Sequence, residues 1–258
     1  MPSDDPTAPL QPSLRDLGAE SDDRPNLLIW QDRLDAYPGR RIVALLDYLG
    51  RISYVFLRNV AQYDALVAQM QDPAFSIPIF AVTNRKQHDE LLSEVERLLH
   101  NVLTALSTRV DQQRVFIKKH FMQDQDLRDE YLARVDADFA TDIACLFLKG
   151  LRNMLTHHRL PVAQSSNTIS QNSYTVTFIL ASQPLLDWDG WNGELRNWIR
   201  AQADGVKIVD EINSYAQKCV AFDTWFFERI KLKYEKDLRE YLSEAAAFDQ
   251  EWRRQFGL

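Results

Sequence analysis

The stretch IACLFLKGLRNMLTHHRLP, residues 143–161, reads as one amphipathic helix followed by a stop. At about 100° per residue, Phe147, Leu151, Met154, Leu155 and His158 gather around one direction. Leu160 and Pro161 end the run, because proline lacks a backbone donor and disfavours helical geometry in the residue before it. The apolar residues keep a helical period rather than a strand alternation, and the same rhythm recurs on both sides of the stretch.

Upstream, Leu127, Tyr131, Val135, Phe139, Ile143 and Phe147 continue the stripe, so one long helix is expected from Asp124 or Asp126 into the opening stretch. Leu92, Val95, Leu99, Val102, Leu106 and Val110 mark a helix from Thr83 or Asn84 to His120. Ile42, Leu45, Leu49, Ile52, Phe56, Tyr63, Leu66 and Met70 mark another from Arg40 to Met70, ended by Asp72, Pro73 and Pro78. Pro38 and Gly39 signal the turn before it, and Leu27 to Trp30 are expected to dock on the body. Residues 1–25, with five prolines among Ser, Asp and Glu, cannot bury enough apolar surface to offset ordering and are expected to be a disordered tail.

Downstream, VAQSSNTISQNSYTVTFILAS changes period. Tyr174, Val176, Phe178 and Leu180 alternate with Thr175, Thr177 and Ile179, predicting a β-hairpin or ribbon inserted at about 162–186. Trp188, Trp191 and Trp198 around Gly190 and Gly193 predict a capping loop and short helix, packed over the ribbon. Between Gly205 and Gly257 there is no Gly or Pro, and a last helix roughly 60 to 70 Å long is expected if it runs without a kink. The run Trp225, Phe226, Phe227 exceeds one stripe and implies burial on two sides.

Long amphipathic helices with no large sheet to cover pack on one another, so the expected fold is all-α. It is an antiparallel bundle in one domain, residues 26–258, with the ribbon as an insertion. Eight Gly and ten Pro in 258 residues agree with few turns. A net charge of −7 opposes indiscriminate adhesion to nucleic acid, leaving a local basic patch as the only RNA contact available. The acidic N-terminal decapeptide is no secretion signal and no apolar run spans a bilayer, so a cytoplasmic protein without membrane contact is expected. Cys145 and Cys219 lack CxxC spacing and read as reduced core residues. No Gly-rich phosphate loop, GxSxG or HExxH occurs, so nucleotide hydrolysis, serine chemistry and zinc chemistry have no motif behind them, and no cofactor is expected.

Chemistry concentrates in the opening stretch, where Arg152, Asn153, His157, His158 and Arg159 fall within about two turns. On the wheel His158 joins the packed stripe. His157 and Asn153 share an accessible strip with Leu146 and Gly150, whose missing side chain would let a ligand or backbone approach.

The string R-N-M-L-T-H, residues 152–157, resembles the Arg-x4-His signature of the HEPN superfamily. These are all-helical proteins, many of them metal-independent ribonucleases in toxin-antitoxin, CRISPR and other defence systems. FLKGLRNMLTHHRLPV also resembles an abundant group of bacterial proteins carrying LRNxxxH before a Pro. The superfamily resemblance covers the motif and its helical setting, and the second extends over the second and third helices.

The resemblance implies an endoribonuclease of stress or phage defence in which two chains meet on one phosphodiester. Arg152 would hold the scissile phosphate, Asn153 would orient the phosphate or the histidine, and His157 would be general base or acid on the 2′-hydroxyl or the leaving oxygen. RNA and a second copy of the chain are the implied partners. Arg159 stands where toxin members carry a Tyr, so regulation through that tyrosine is not expected. Arg152 and His157 lie about 140° apart on a straight helix, so a dimer or an unwound helix end is required.

A structural explanation stands beside this one. Cationic residues in a last helical turn favour the negative end of the dipole and bond free carbonyls, which accounts for Arg152, His157, His158 and Arg159 without chemistry. The protein would then be a non-catalytic scaffold or regulatory module that binds a protein partner through its last helix. Lys118, Lys119 and His120 read as a solvated helix end. Asp136 and Asp138 face apart on a helix, and no His or Glu completes a Glu-x-x-His pattern, so these residues with Asp142 are not expected to make a metal site.

Overall fold

The computed structural model describes residues 26–158, 161, 163–170, 173–202 and 204–257. The tail expected at 1–25 and the Arg159 substitution lie outside them. Among the described residues the chain is helical apart from one hairpin. The order is α1 (Asn26–Asp35), α2 (Pro38–Met70), α3 (Pro73–Ile79), a 3₁₀ turn (Val82–Asn84), α4 (Arg85–His120), α5 (Gln125–Phe139) and α6 (Ile143–His157). β1 (Ala163–Ile169), β2 (Tyr174–Leu180), α7 (Ser182–Leu186), α8 (Gly193–Ala201), α9 (Ile208–Lys233) and α10 (Glu235–Phe256) follow. The all-α class with a small inserted hairpin is as the periodicity predicts, and no helix among the described residues is long and apolar enough to cross a membrane.

The chain divides into two compact units, one of residues 26–48 with 228–257 and one of residues 49–227. In the first, α1 packs on α10: the Trp30 indole N–H donates to Glu244 at 2.8 Å and its ring meets Phe248 edge-on at 5.6 Å. Gly39, where Pro38 starts α2, has no room for a side chain, since a Cβ would fall 2.2 Å from the Asp237 carbonyl oxygen. The long last helix is interrupted at Tyr234 (φ −109°, ψ 25°). Carbonyls of Ile230 and Tyr234 still accept from Tyr234 and Leu238, so α9 and α10, about 39 and 33 Å long, meet at a kink.

In the second unit the core runs from Phe56 and Tyr63 on α2, through Leu99, Val102 and Leu103 on α4, to Phe147, Leu148 and Leu151 on α6. Ile199 on α8 and Ile212 on α9 complete it. Phe226 is buried in an aromatic cluster with Phe222, Phe116 and Tyr131, while Trp225 and Phe227 are half-buried on its flanks. The hairpin pairs Ala163 with Leu180 through Ile169 with Tyr174, and Val176, Phe178 and Leu180 are buried on one face, matching the period of two. Gln71 bonds β2 through both ends of its amide, donating to the Val176 carbonyl at 2.7 Å and accepting from the Val176 N–H at 3.1 Å.

Three expectations are corrected. The helix foreseen from Asp124 through the opening stretch is two helices, broken at Ala140 to Asp142, because the Asp142 carboxylate accepts the Cys145 N–H at 3.0 Å and caps α6. Leu27 to Trp30 dock as part of a helix. The Pro73 to Pro78 segment is also helical, since Asp72 caps it at the Ala74 N–H (2.9 Å) and Pro73 stands at a position that needs no donor.

Candidate functional site

Asp142 launches α6 and an apolar face of Ala144, Cys145, Phe147, Leu148, Leu151 and Met154 holds it in the core. Asp142 also pairs with Lys218 of α9 at 2.6 Å. Partial burial raises the Asp142 carboxyl, but bonds from Lys218 and from Cys145 outweigh it and hold it below the usual carboxylate range. Burial pushes the thiols the other way, Cys145 far up and Cys219 up to about 11. Both cysteines are free and buried as neutral thiols, which excludes them as nucleophiles.

With its core face filled, α6 leaves Arg152 and Asn153 half-buried and His157 exposed. Arg152 Nη1 donates to Asn153 Oδ1 at 3.3 Å, so these two side chains are brought together. The Arg152 carbonyl accepts the Thr156 hydroxyl at 2.9 Å. His157 bonds neither Arg152 nor Asn153 among the described residues. It is the last residue of the helix, so it keeps its place about 140° round from Arg152 and about 7.5 Å further along the axis.

Two details differ from the helical wheel. His158 is exposed rather than packed, because as the cap residue (φ −131°, ψ −77°) it has left the helical path on which the wheel depends. The room at Gly150 is taken by the Trp191 ring, which a Cβ would meet at 2.3 Å. Trp191 stacks on Phe147 (centroids 5.4 Å, planes 13° apart), and Trp198 and Trp188 close around this pair. The Trp191 indole N–H donates to the Leu185 carbonyl at 2.7 Å. The tryptophans therefore back α6 from the α7 and α8 side.

Among the described residues no group of three or more His, Cys, Asp or Glu side chains could hold a metal ion. Asp138 is paired with Arg134 at 2.6 Å and Asp142 is engaged as above. Two polar clusters escaped the sequence reading. Asp223 on α9 accepts from Arg109 (2.5 Å) and Gln113 (2.9 Å) on α4 and from Ser53 on α2, all of them buried. Its signal is polar residues at stripe positions: Arg109 follows Ala105 and Leu106 by four and three, and Asp223 follows Cys219 by four. His88 on α4 meets Ser165 on β1 across 77 residues of sequence, a proximity without any local signature. Comparison with protein-family models, with curated proteins and with solved structures gives no match.

Proposed function

We propose that the chain is a HEPN-like, metal-independent endoribonuclease that acts as a pair of chains. The observation that carries the reading is the Arg152 to Asn153 contact at 3.3 Å beside an exposed His157 at the end of the same helix. A guanidinium already oriented by an amide suits a phosphodiester, because its planar fork matches phosphate oxygens and keeps its charge. His157, open to solvent, takes the proton from a ribose 2′-hydroxyl as that oxygen attacks phosphorus, or gives one to the departing 5′-oxygen. The products are a 2′,3′-cyclic phosphate and a free 5′-hydroxyl. With the two groups diverging on one helix, each centre takes Arg152 from one chain and His157 from the other. Cytoplasmic RNA is the substrate in this reading.

The test offers structured and single-stranded RNA to the purified chain in EDTA, with Arg152→Ala and His157→Ala alongside. Cutting by the parent and a loss of about 100-fold or more in each variant is expected. A parent that cuts nothing, or variants that cut equally, removes the proposal. A scaffold reading is favoured by one observation: Leu242, Trp252 and Phe256 of α10 are exposed, and the last two rings stand 4.6 Å apart. In that reading Trp252→Glu abolishes binding of a protein partner and Arg152→Ala does not.

A further inference from the structure

We propose that Ser165, His88 and Asp89 form a second reactive centre that hydrolyses short acyl esters through an acyl-Ser165 intermediate. His88 Nε2 lies 3.0 Å from Ser165 Oγ, and its other ring nitrogen, Nδ1, lies 3.8 Å from the Asp89 carboxylate. A neutral imidazole carries one proton. At 3.8 Å the Asp89 carboxylate is beyond hydrogen-bond distance of Nδ1 and acts on it through its charge alone; in the tautomer with its proton on Nδ1, Nε2 accepts from the Ser165 hydroxyl. This is the ordering of roles in serine hydrolases, which is recognised by geometry rather than by position in the chain.

The surroundings suit the chemistry. Phe80 packs on the His88 ring at 5.4 Å and fixes its orientation while the side chain stays 28% exposed. His88 is in the first turn of α4, a helix of 36 residues whose cap residue Asn84 makes no side-chain cap bond. The positive end of the helix dipole, with Arg85 and Lys86 in the same first turn, favours negative charge developing nearby.

Tethering the ribbon does not require this pair. The Ala163 N–H is already held by Glu96 (3.2 Å), Val176 by Gln71, and the Tyr174 hydroxyl by Ser76 (2.6 Å), over the buried Val176, Phe178 and Leu180.

The reaction balances without an added reagent. As Ser165 Oγ bonds to the ester carbonyl carbon its proton passes to His88 Nε2, and on collapse the bond to the alkoxy oxygen breaks and that oxygen takes the proton from His88. Water then attacks the acyl-serine, losing a proton to His88, which returns it to Ser165 Oγ as the carboxylic acid leaves.

The experiment uses the full chain with p-nitrophenyl acetate and, separately, a fluorophosphonate probe, read by p-nitrophenolate release and by peptide mass mapping. A single phosphonyl adduct on Ser165 is expected. It should be lost in Ser165→Ala, and its rate should fall by about 100-fold in His88→Phe, which keeps a ring against Phe80. Circular dichroism spectra of both variants should match the parent, since each changes one half-exposed side chain. A parent without an adduct at Ser165, or a His88→Phe variant labelled at the parental rate, overturns the proposal.

Discussion

Asp223 of α9 accepts a hydrogen bond from Arg109 of α4 at 2.5 Å where both residues are buried. Gln113 and Ser53 complete the carboxylate's shell, so α2, α4 and α9 share one anionic anchor. Removing one member of a buried pair strands the other charge, at a cost of about 3 to 5 kcal/mol. Asp223→Ala should therefore lower unfolding free energy by about that amount in urea titrations. Arg109→Met combined with Asp223→Leu should recover much of it. A loss under about 1 kcal/mol for Asp223→Ala would place the anchor among dispensable contacts.

For the proposed nuclease, mixing Arg152→Ala with His157→Ala tests whether a centre is shared between chains. In a dimer of one Arg152→Ala chain and one His157→Ala chain, one centre keeps both groups and the other has neither. Random pairing makes half the dimers mixed, so about a quarter of parental cutting should return on co-refolding the variants. Absence of any recovery would mean that both groups must come from the same chain.

Gly150→Ala sets two effects of opposite sign against each other. Helix propensity favours Ala over Gly by about 1 kcal/mol. The new methyl would meet the Trp191 ring at 2.3 Å, and overpacking of a filled core costs about 1 to 3 kcal/mol. Trp191 is stacked on Phe147 and bonded to Leu185, so it yields little and net destabilisation is expected. A raised melting temperature in Gly150→Ala would show that the ring moves aside freely.

Asp142 links α6 to pH. Its carboxyl is held below the usual range in the folded chain, so the folded state binds this proton less readily than the unfolded state does. Its stabilisation is complete above the ordinary carboxylate value of about 3.9 and is lost as pH falls through the depressed value. Asp142→Ala should cost about 1 kcal/mol at neutral pH from the lost cap and should flatten the acid limb of the stability curve below about pH 4. An unchanged acid limb, measured by denaturant midpoints across pH, would assign that limb to other carboxylates.

The helical class and the ribbon were legible because each rests on a period. Seams such as Ile42 to Met70 and Leu92 to Val110, and the alternation Val176, Phe178, Leu180, bury the sides those periods select. What was not legible depends on single side chains or on long-range contact. The apolar rhythm from Leu127 to Leu151 runs through the break at Asp142, where one carboxylate caps the next helix. The kink at Tyr234 has neither Gly nor Pro to announce it. His158 left the wheel because the helix ended one residue before it, and the space at Gly150 was filled by a tryptophan 41 positions later in the chain. For the candidate site, the exposure of His157 follows from the helix, whereas the contact of Arg152 with Asn153, neighbours about 100° apart on it, and the pairing of His88 with Ser165 needed the fold.

A lone pair of strands normally offers unsatisfied margins on which a foreign strand can grow, the first step toward aggregated sheet. In this chain the Gln71 side chain imitates a neighbouring peptide group along β2, and Val206 exchanges both backbone bonds with Leu180 at 2.9 Å each. The outer margin of β2 is thus blocked in two places. That margin is a poor template for a foreign strand.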